Sequence, residues 1–163
     1  MKNRETRDLS ERIANKGEDG AITGEQARHD LTAHSLFDAA RRYESRIIEL
    51  IGKLGYDDIR ATHLTVLRNI DLDGTRITEL AKRAGITKQS MSDLVQQCEE
   101  MELLQRSADK TDRRAKNILF TKKGFELLED IWEVVGRIDE EIASKIGLSD
   151  LILLRSSLKK YLS

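Results

Sequence analysis

The sequence is short of the residues that stabilise small secreted domains and of those that interrupt helices. It has one cysteine, Cys98, so no internal disulfide can form, and this scarcity is typical of a reducing compartment. It has no proline, and only 4% of its 163 residues are aromatic. No apolar run approaches the roughly 18 residues that a membrane-spanning helix needs. The composition excludes a disulfide-rich scaffold, predicts no membrane span and favours long helices.

An excess of charge of one sign is also missing. The formal net charge is -1, although 35% of the residues are charged, so a preference for an anionic partner must come from the distribution of charge. The first residues, MKNRETRDLSER, lack the apolar core of a signal peptide, and we predict a cytoplasmic protein. Residues 1–30 have few large apolar side chains and predict a charged arm, flexible or marginally ordered.

Apolar residues at helical spacing are abundant in the rest of the chain. One stripe runs from Leu36 to Leu54 with the regularity of a coiled coil. A second helix is predicted within residues 57–70, with Asp57 or Asp58 as its N-cap, and DLDG at 71–74 predicts a turn.

Two more helices are predicted near the C-terminus. Thr121 is a candidate N-cap for a helix over residues 122–146, and Ser149 for a final helix. The apolar side of the first consists of Phe125, Leu128, Ile131, Trp132, Val135, Ile138 and Ile142. That of the second consists of Leu151, Leu154, Leu158 and Tyr161.

Residues 77–98, ITELAKRAGITKQSMSDLVQQC, have the spacing of a helix-turn-helix. Gly85 stands where the first helix should end, because glycine adopts the left-handed conformation without a Cβ clash. Thr87 is a good N-cap for the second helix, and Ala81 is small enough to let that helix cross closely. An ordinary pair of helices is the alternative.

A charged excursion between two extended segments follows. LLQR at 103–106 and KNILFT at 116–121 predict a β-hairpin, with Ile118 and Phe120 directed inward. A helix-turn-helix followed by a hairpin is a winged helix. From Arg106 to Lys123 there are seven basic and two acidic residues, a local net charge of +5. Such a patch is typical of phosphate binding, and a solvated loop is the alternative.

Together these motifs resemble the MarR family of bacterial winged-helix transcription regulators. The resemblance is carried by the long helix before the winged unit, by ITELAKRAGITKQSMSDLVQQCEEMELL, by the wing motif DRRAK and by LFTKKG, and it extends over residues 33–162. It implies a mainly α fold, a winged helix-turn-helix with long flanking dimerisation helices. The predicted organisation is a charged arm at 1–30, a helical dimerisation region at 31–55 and 124–163, and a DNA-binding domain at 56–123.

Two positions depart from the usual pattern of the family. Asp93 stands where the recognition helix commonly has a basic residue, and Glu102 stands where a glycine often follows that helix. Asp93 could accept a hydrogen bond from cytosine, but we favour a salt bridge to Lys88 or Arg83. Glu102 predicts a different exit from the helix.

Residues that contact DNA are predicted from their positions in this fold. The N-terminal residues of a recognition helix lie nearest the base edges, and Gln89 can pair bidentately with adenine. The resemblance implies that Arg114 enters the minor groove and that Asp112 orients it. The complete predicted set is Thr87, Lys88, Gln89, Ser90, Ser92, Arg106, Lys110, Asp112, Arg113, Arg114 and Lys116.

The predicted function is a transcription regulator, a repressor that binds a pseudo-palindromic operator as a homodimer. The resemblance implies control by a small anionic or phenolic effector, for which Tyr43, Arg46 and His63 are candidates, or by cysteine oxidation. A core Tyr43 and a partly exposed helical His63 are the favoured alternative. Cys98 lies on an apolar stripe, and we predict that it is structural because buried cysteines are usually inert.

A winged-helix module that binds another protein instead of DNA is the alternative function. An enzyme is not expected, because no Ser-His-Asp, paired-carboxylate or glycine-rich phosphate-binding arrangement occurs at usable spacing. Three histidines and one cysteine do not form a metal-ligand pattern, so we expect neither a metal nor a cofactor.

Overall fold

A computed structural model describes residues 32–108 and 116–163. The elements within these residues are α1 (Thr32–Gly52), α2 (Ala61–Leu67), β1 (Thr75–Arg76), α3 (Ile77–Ala84), α4 (Lys88–Glu100), β2 (Leu104–Ala108), β3 (Lys116–Phe120), α5 (Lys122–Ile146) and α6 (Leu148–Leu162). The predicted fold class is confirmed: the chain is mainly helical, and long helices flank a winged helix-turn-helix. In the described part of the chain no helix has the length and apolar character to cross a membrane. The predicted arm at residues 1–30 lies outside the described residues.

The chain divides into two units between Tyr43 and Glu44. In the first unit only the beginning of α1 is described. Its side chains are mostly exposed, and Asp38 accepts a hydrogen bond of 2.9 Å from Arg41. The second unit contains the end of α1 and all the other described elements.

The helix-turn-helix of α3 and α4 forms as the sequence predicts. Gly85 follows α3 in the left-handed conformation, at φ 67°. The Thr87 hydroxyl caps α4 by accepting a 3.1 Å hydrogen bond from the Ser90 backbone N–H. Leu80 on α3 and Val95 on α4 are fully buried, so the two helices pack through their apolar faces.

A three-stranded antiparallel sheet forms the wing and its base, in the order β1-β3-β2. In the hairpin Leu104 pairs with Phe120 and Ala108 with Lys116, while Thr75 of β1 pairs with Ile118 on the other side of β3. The hairpin and the burial of Ile118 and Phe120 are confirmed. Sequence reasoning missed β1 because two residues are too few to show alternation.

Two predicted helix caps are wrong. Helix α2 begins at Ala61, so neither Asp57 nor Asp58 caps it; Arg60 is the N-cap, in extended conformation. Helix α6 begins directly after Gly147, whose φ is 90°. Ser149 therefore lies inside the first turn and does not cap the helix.

The side of α5 that packs within the chain differs from the predicted stripe. The buried residues are Gly124, Leu127, Val134 and Ile138, of which only Ile138 was predicted. Phe125 and Trp132 of the predicted stripe are 40% and 57% exposed. Helix α6 likewise buries Leu151 and leaves Tyr161 exposed. Both helices thus keep large apolar side chains on the surface of a single chain.

Candidate nucleic-acid interface

The first turn of α4 presents polar side chains to solvent. Lys88, Gln89 and Ser90 are exposed, and Ser92 is half-buried. Thr87 is engaged in the cap, and its hydroxyl also lies 2.8 Å from the Ser90 hydroxyl. Lys88 and Gln89 are therefore the side chains of this turn that are best placed to reach another molecule.

Gln89 is held by the residue one turn further along the helix. Its amide nitrogen donates a 2.9 Å hydrogen bond to an Asp93 carboxylate oxygen. An amide nitrogen carries two hydrogens, so one N–H and the carbonyl oxygen of Gln89 remain for a base edge. The favoured prediction for Asp93, a salt bridge to Lys88 or Arg83, is wrong.

Arg83 has other partners in the helix-turn-helix. Its guanidinium binds both oxygens of Asp71 at 2.9 Å, and its Nε donates to Glu79 at 3.2 Å. These hydrogen bonds lower the pKa of the Asp71 carboxyl and raise that of Arg83. The ion pair joins α3 to the turn at 71–74. Because Arg83 is engaged there, Asp93 accepts its hydrogen bond from Gln89 instead.

The predicted contacts on the wing have different surroundings. Arg106 forms an ion pair with Glu99 of α4, at 3.0 Å between Nε and a carboxylate oxygen. Lys116, at the start of β3, is exposed. The remaining four, Lys110, Asp112, Arg113 and Arg114, lie outside the described residues.

The exit from α4 keeps the geometry that a glycine would give. Glu102 has φ 60°, in the left-handed region. The Glu102 N–H donates to the Glu99 carbonyl and the Leu103 N–H to the Cys98 carbonyl, both at 2.9 Å, which is the Schellman pattern. The predicted change of exit is therefore wrong, because the glutamate adopts the conformation of the residue it replaces.

The start of α5 is fastened to this exit. The Thr121 hydroxyl donates to the Glu102 carbonyl at 2.5 Å, and the Lys123 ammonium donates to the Met101 carbonyl at 2.9 Å. Thr121 also caps α5, as predicted, by accepting from the Gly124 N–H at 3.0 Å. At Gly124 a Cβ would lie 2.0 Å from the Leu103 carbonyl oxygen. Sequence reasoning missed this contact, for which the glycine of LFTKKG is the signal.

His63, a candidate effector residue, joins two helices. It is 5% exposed, so the prediction of a partly exposed residue is wrong. Its Nδ1 accepts from the Arg60 backbone N–H at 3.2 Å, which places the ring proton on Nε2. Nε2 lies 2.9 Å from the Gln97 side-chain oxygen of α4. Both ring nitrogens are thus used within the chain.

Arg46, another candidate, is surrounded by carboxylates. Its Nε and one Nη donate to Glu141 of α5 at 3.1 and 2.6 Å, and its other Nη donates to Glu49 at 2.7 Å. The hydrogen bond from Arg46 lowers the pKa of Glu141. Hydrogen bonds from Lys53 and then Arg46 lower the pKa of Glu49 to about 2. Tyr43, the third candidate, is half-buried rather than core.

Cys98 lies in the core of α4 and is fully buried. Burial, followed by the charge of Glu99, raises the pKa of its thiol to about 12. The thiolate is the reactive form of cysteine, so this site disfavours oxidation. Among residues 32–108 and 116–163, no three metal-ligating side chains are grouped to hold an ion.

The comparisons with known proteins agree with this geometry. The sequence profile of the MarR family matches residues 57–115. The solved structure of the transcriptional repressor CouR bound to a 23-mer DNA duplex is 22% identical, over 82% of this chain and 94% of that one, with a TM-score of 0.67. CouR from Rhodococcus jostii RHA1 bound to p-coumaroyl-CoA is 22% identical, over 81% and 92% of the two chains, with a TM-score of 0.65.

A third similar structure is transcriptional regulator Tm0710 from Thermotoga maritima. It is 25% identical, over 79% of this chain and 89% of that one, with a TM-score of 0.57. The family match falls on the helix-turn-helix and the wing, and the shared fold includes the flanking helices. Residues 57–115 thus match the MarR family, and the described residues share the winged-helix fold of these solved structures.

Proposed function

We propose that the protein is a sequence-specific DNA-binding transcription regulator, a repressor that acts as a homodimer on a pseudo-palindromic operator. The observation that carries the proposal is the exposed polar first turn of α4 in a MarR-family winged helix. In helix-turn-helix proteins this turn contacts base edges in the major groove. The DNA-bound structure of CouR supports the same use of the fold here.

Gln89 is the proposed base-reading residue. Its carbonyl oxygen and one N–H suit the N6 and N7 edge of adenine, and its bond to Asp93 reduces the number of rotamers that must be ordered on binding. Lys88 can donate to guanine or to phosphate. Thr87, Ser90 and Ser92 complete the surface on this helix.

The wing is the proposed phosphate and minor-groove contact. Lys116 is exposed at its base, and the local charge of +5 between Arg106 and Lys123 favours the DNA backbone in a chain whose net charge is -1. Arg114, with Asp112 to orient it, is the proposed minor-groove residue. Lys110 and Arg113 add to the positive field.

The homodimer is supported by apolar side chains that α5 and α6 leave exposed. These are Phe125, Trp132, Ile146, Leu148, Ile152, Leu153, Leu154, Tyr161 and Leu162. So many large apolar side chains on two adjacent helices are more than a monomer usually exposes. We therefore assign dimerisation to residues 31–55 and 124–163 and DNA binding to 56–123, with 1–30 as an arm. A twofold dimer places two recognition helices about one turn of DNA apart.

A small anionic or phenolic effector is proposed as the regulator, supported by the structure of CouR with p-coumaroyl-CoA. Of the three candidate residues, Arg46 suits an anion best. Because Glu141 already occupies its guanidinium, an anionic ligand would have to displace that carboxylate. Effector binding at Arg46 would therefore separate α1 from α5.

The test is a salt titration of binding to a selected operator and to scrambled duplex. Arg114→Ala should weaken binding to both duplexes and flatten the slope of log K against log[salt] by roughly one unit for each arginine–DNA interaction that the substitution removes. Gln89→Ala should keep the slope but lose about 1–3 kcal/mol of discrimination at one base pair per half-site.

Two outcomes would contradict the proposal. An unchanged salt slope for Arg114→Ala on both duplexes would make the wing an ordinary solvated loop. Absence of any salt-dependent duplex binding by the unaltered protein would instead favour a winged-helix module that binds another protein.

A further inference from the structure

Arg106 is paired with the recognition helix, although part of its side chain remains exposed to solvent. Its Nε lies 3.0 Å from a Glu99 carboxylate oxygen, and the two side chains are only 30% and 26% exposed. Alternate residues of a strand share a face, so Arg106 lies on the same side of β2 as the buried Leu104. The guanidinium is therefore directed into the angle between β2 and the last turn of α4.

The electrostatics of this position favour the ion pair. Glu99 lies in the last turn of α4, where the negative end of the helix dipole adds to its carboxylate charge. A partly buried pair is also less screened by salt than the exposed pairs elsewhere on the surface. Arg106 could bind a phosphate through its Nε only by breaking this ion pair.

The position is also remote from the base-reading end of α4. Lys88 begins the helix and Glu99 is eleven residues further on, which is about 16 Å along the axis. In the hairpin Arg106 lies opposite Ile118, at the middle of both strands. It is thus placed where the direction of the hairpin relative to α4 is set.

We propose that Arg106 is a positioning residue, which orients the wing through Glu99, and not a phosphate contact. The inference rests on the proposed DNA-binding function and revises one member of the predicted contact set. Fixing the middle of β2 against α4 keeps the basic wing aligned with the groove next to the one that α4 enters. Glu99, an acidic residue, then contributes to DNA binding although it repels phosphate.

The experiment uses the full chain with Glu99→Gln, Arg106→Gln, the double variant and the exchanged pair Glu99→Arg/Arg106→Glu. Lys116→Gln is the control, an exposed cation on the same hairpin. Affinity is measured against salt on operator and scrambled duplex. We expect each single variant to weaken operator binding by roughly three- to tenfold, with an unchanged salt slope, and the double variant to be no worse. The exchanged pair should recover most of the affinity, and Lys116→Gln should flatten the slope.

Effects of these variants in the opposite direction would overturn the proposal. If Arg106 bound phosphate, Glu99→Gln would free it and strengthen binding, Arg106→Gln would flatten the slope, and the exchanged pair would not recover affinity.

A second readout needs no DNA. Amide hydrogen exchange at Ser107 and Ala108 should accelerate in Glu99→Gln and Arg106→Gln but not in Lys116→Gln. Unchanged exchange in all three would refute the positioning role. Faster exchange without duplex binding by the unaltered protein would refute only the proposed DNA-binding function.

Discussion

Glu102 holds a backbone conformation that disfavours any side chain with a Cβ. At φ 60° an L-residue loses roughly 1–2 kcal/mol, whereas glycine adopts this region freely. Its ion pair with Lys123 spans 3.9 Å between exposed groups and contributes little. We predict that Glu102→Gly raises the free energy of unfolding by about 0.5–1 kcal/mol, measured by urea denaturation.

Glu100→Gly is the matched control for this change. It removes the same side chain two residues earlier, at a helical position, and should lower stability by about 1 kcal/mol. A loss of stability in both variants would show that Glu102 is not strained.

Cys98 should behave as a buried apolar residue. Because its thiol pKa is raised to about 12, the thiolate is scarce at neutral pH, and alkylation should be slow in the folded protein and fast in urea. We predict that Cys98→Ser lowers stability by about 1–3 kcal/mol, since it puts a hydroxyl into an apolar contact, and leaves any response to peroxide unchanged. A peroxide response that disappears in Cys98→Ser would identify a sensor.

For single residues, the sequence predicted the interactions between neighbours in the chain and missed those between elements. The caps at Thr87 and Thr121 and the left-handed Gly85 depend on neighbours within three residues, so pattern alone predicts them. The partners of Asp93 and Arg106 depend on rotamers and on contacts between elements. Sequence spacing does not encode those.

Among the contacts between elements, a tight one joins Gly124 of α5 to the chain just after α4. A Cβ there would lie 2.0 Å from the Leu103 carbonyl oxygen, so the backbone would have to shift. We predict that Gly124→Ala destabilises the protein by about 3 kcal/mol. Thermal unfolding followed by circular dichroism measures the effect.

Gly136, in the same helix, offers the comparison. A Cβ there would meet nothing within 4 Å, so Gly136→Ala should stabilise by about 1 kcal/mol through helix propensity. If the two alanine variants changed stability in the same direction, the close packing at Gly124 would not be a constraint.

The elements themselves were more predictable than their packing. Helix α5 has the bounds that its pattern predicts, because caps and a terminal glycine define it locally. The face that it buries was predicted wrongly, since apolar residues lie on two adjacent faces. Packing within the folded chain, and not the apolar pattern, makes Val134 buried and leaves Trp132 57% exposed.

For the whole molecule, the exposed side of α5 and α6 predicts association. We expect a sedimentation mass of twice 18.6 kDa at micromolar concentration, because pairing removes large apolar surface from water. Trp132→Glu should produce monomers that bind operator far more weakly, whereas Trp132→Phe should remain dimeric. A monomeric unaltered chain that binds operator tightly would contradict this prediction.

The function of the whole molecule is not evident from its net charge and isoelectric point. A net charge of -1 and a pI of about 6.3 do not suggest a nucleic-acid partner. Only the position of the basic residues, next to a helix-turn-helix, predicted the interface. Its geometry beside α4 required the structure, because the Glu99–Arg106 pair joins elements that the sequence describes separately.

The fastening of α5 to the exit of α4 has a mechanical consequence. With 25 residues, α5 is about 37 Å long, and a tilt of about 10° about its far end would carry its first turn sideways by about 6 Å. That is more than the rise of about 3.4 Å per base pair. Since Thr121 and Lys123 bind the exit of α4, the recognition helix would move together with the first turn of α5. A small rotation of α5 within the proposed dimer would thus move each recognition helix by more than the distance between two base pairs.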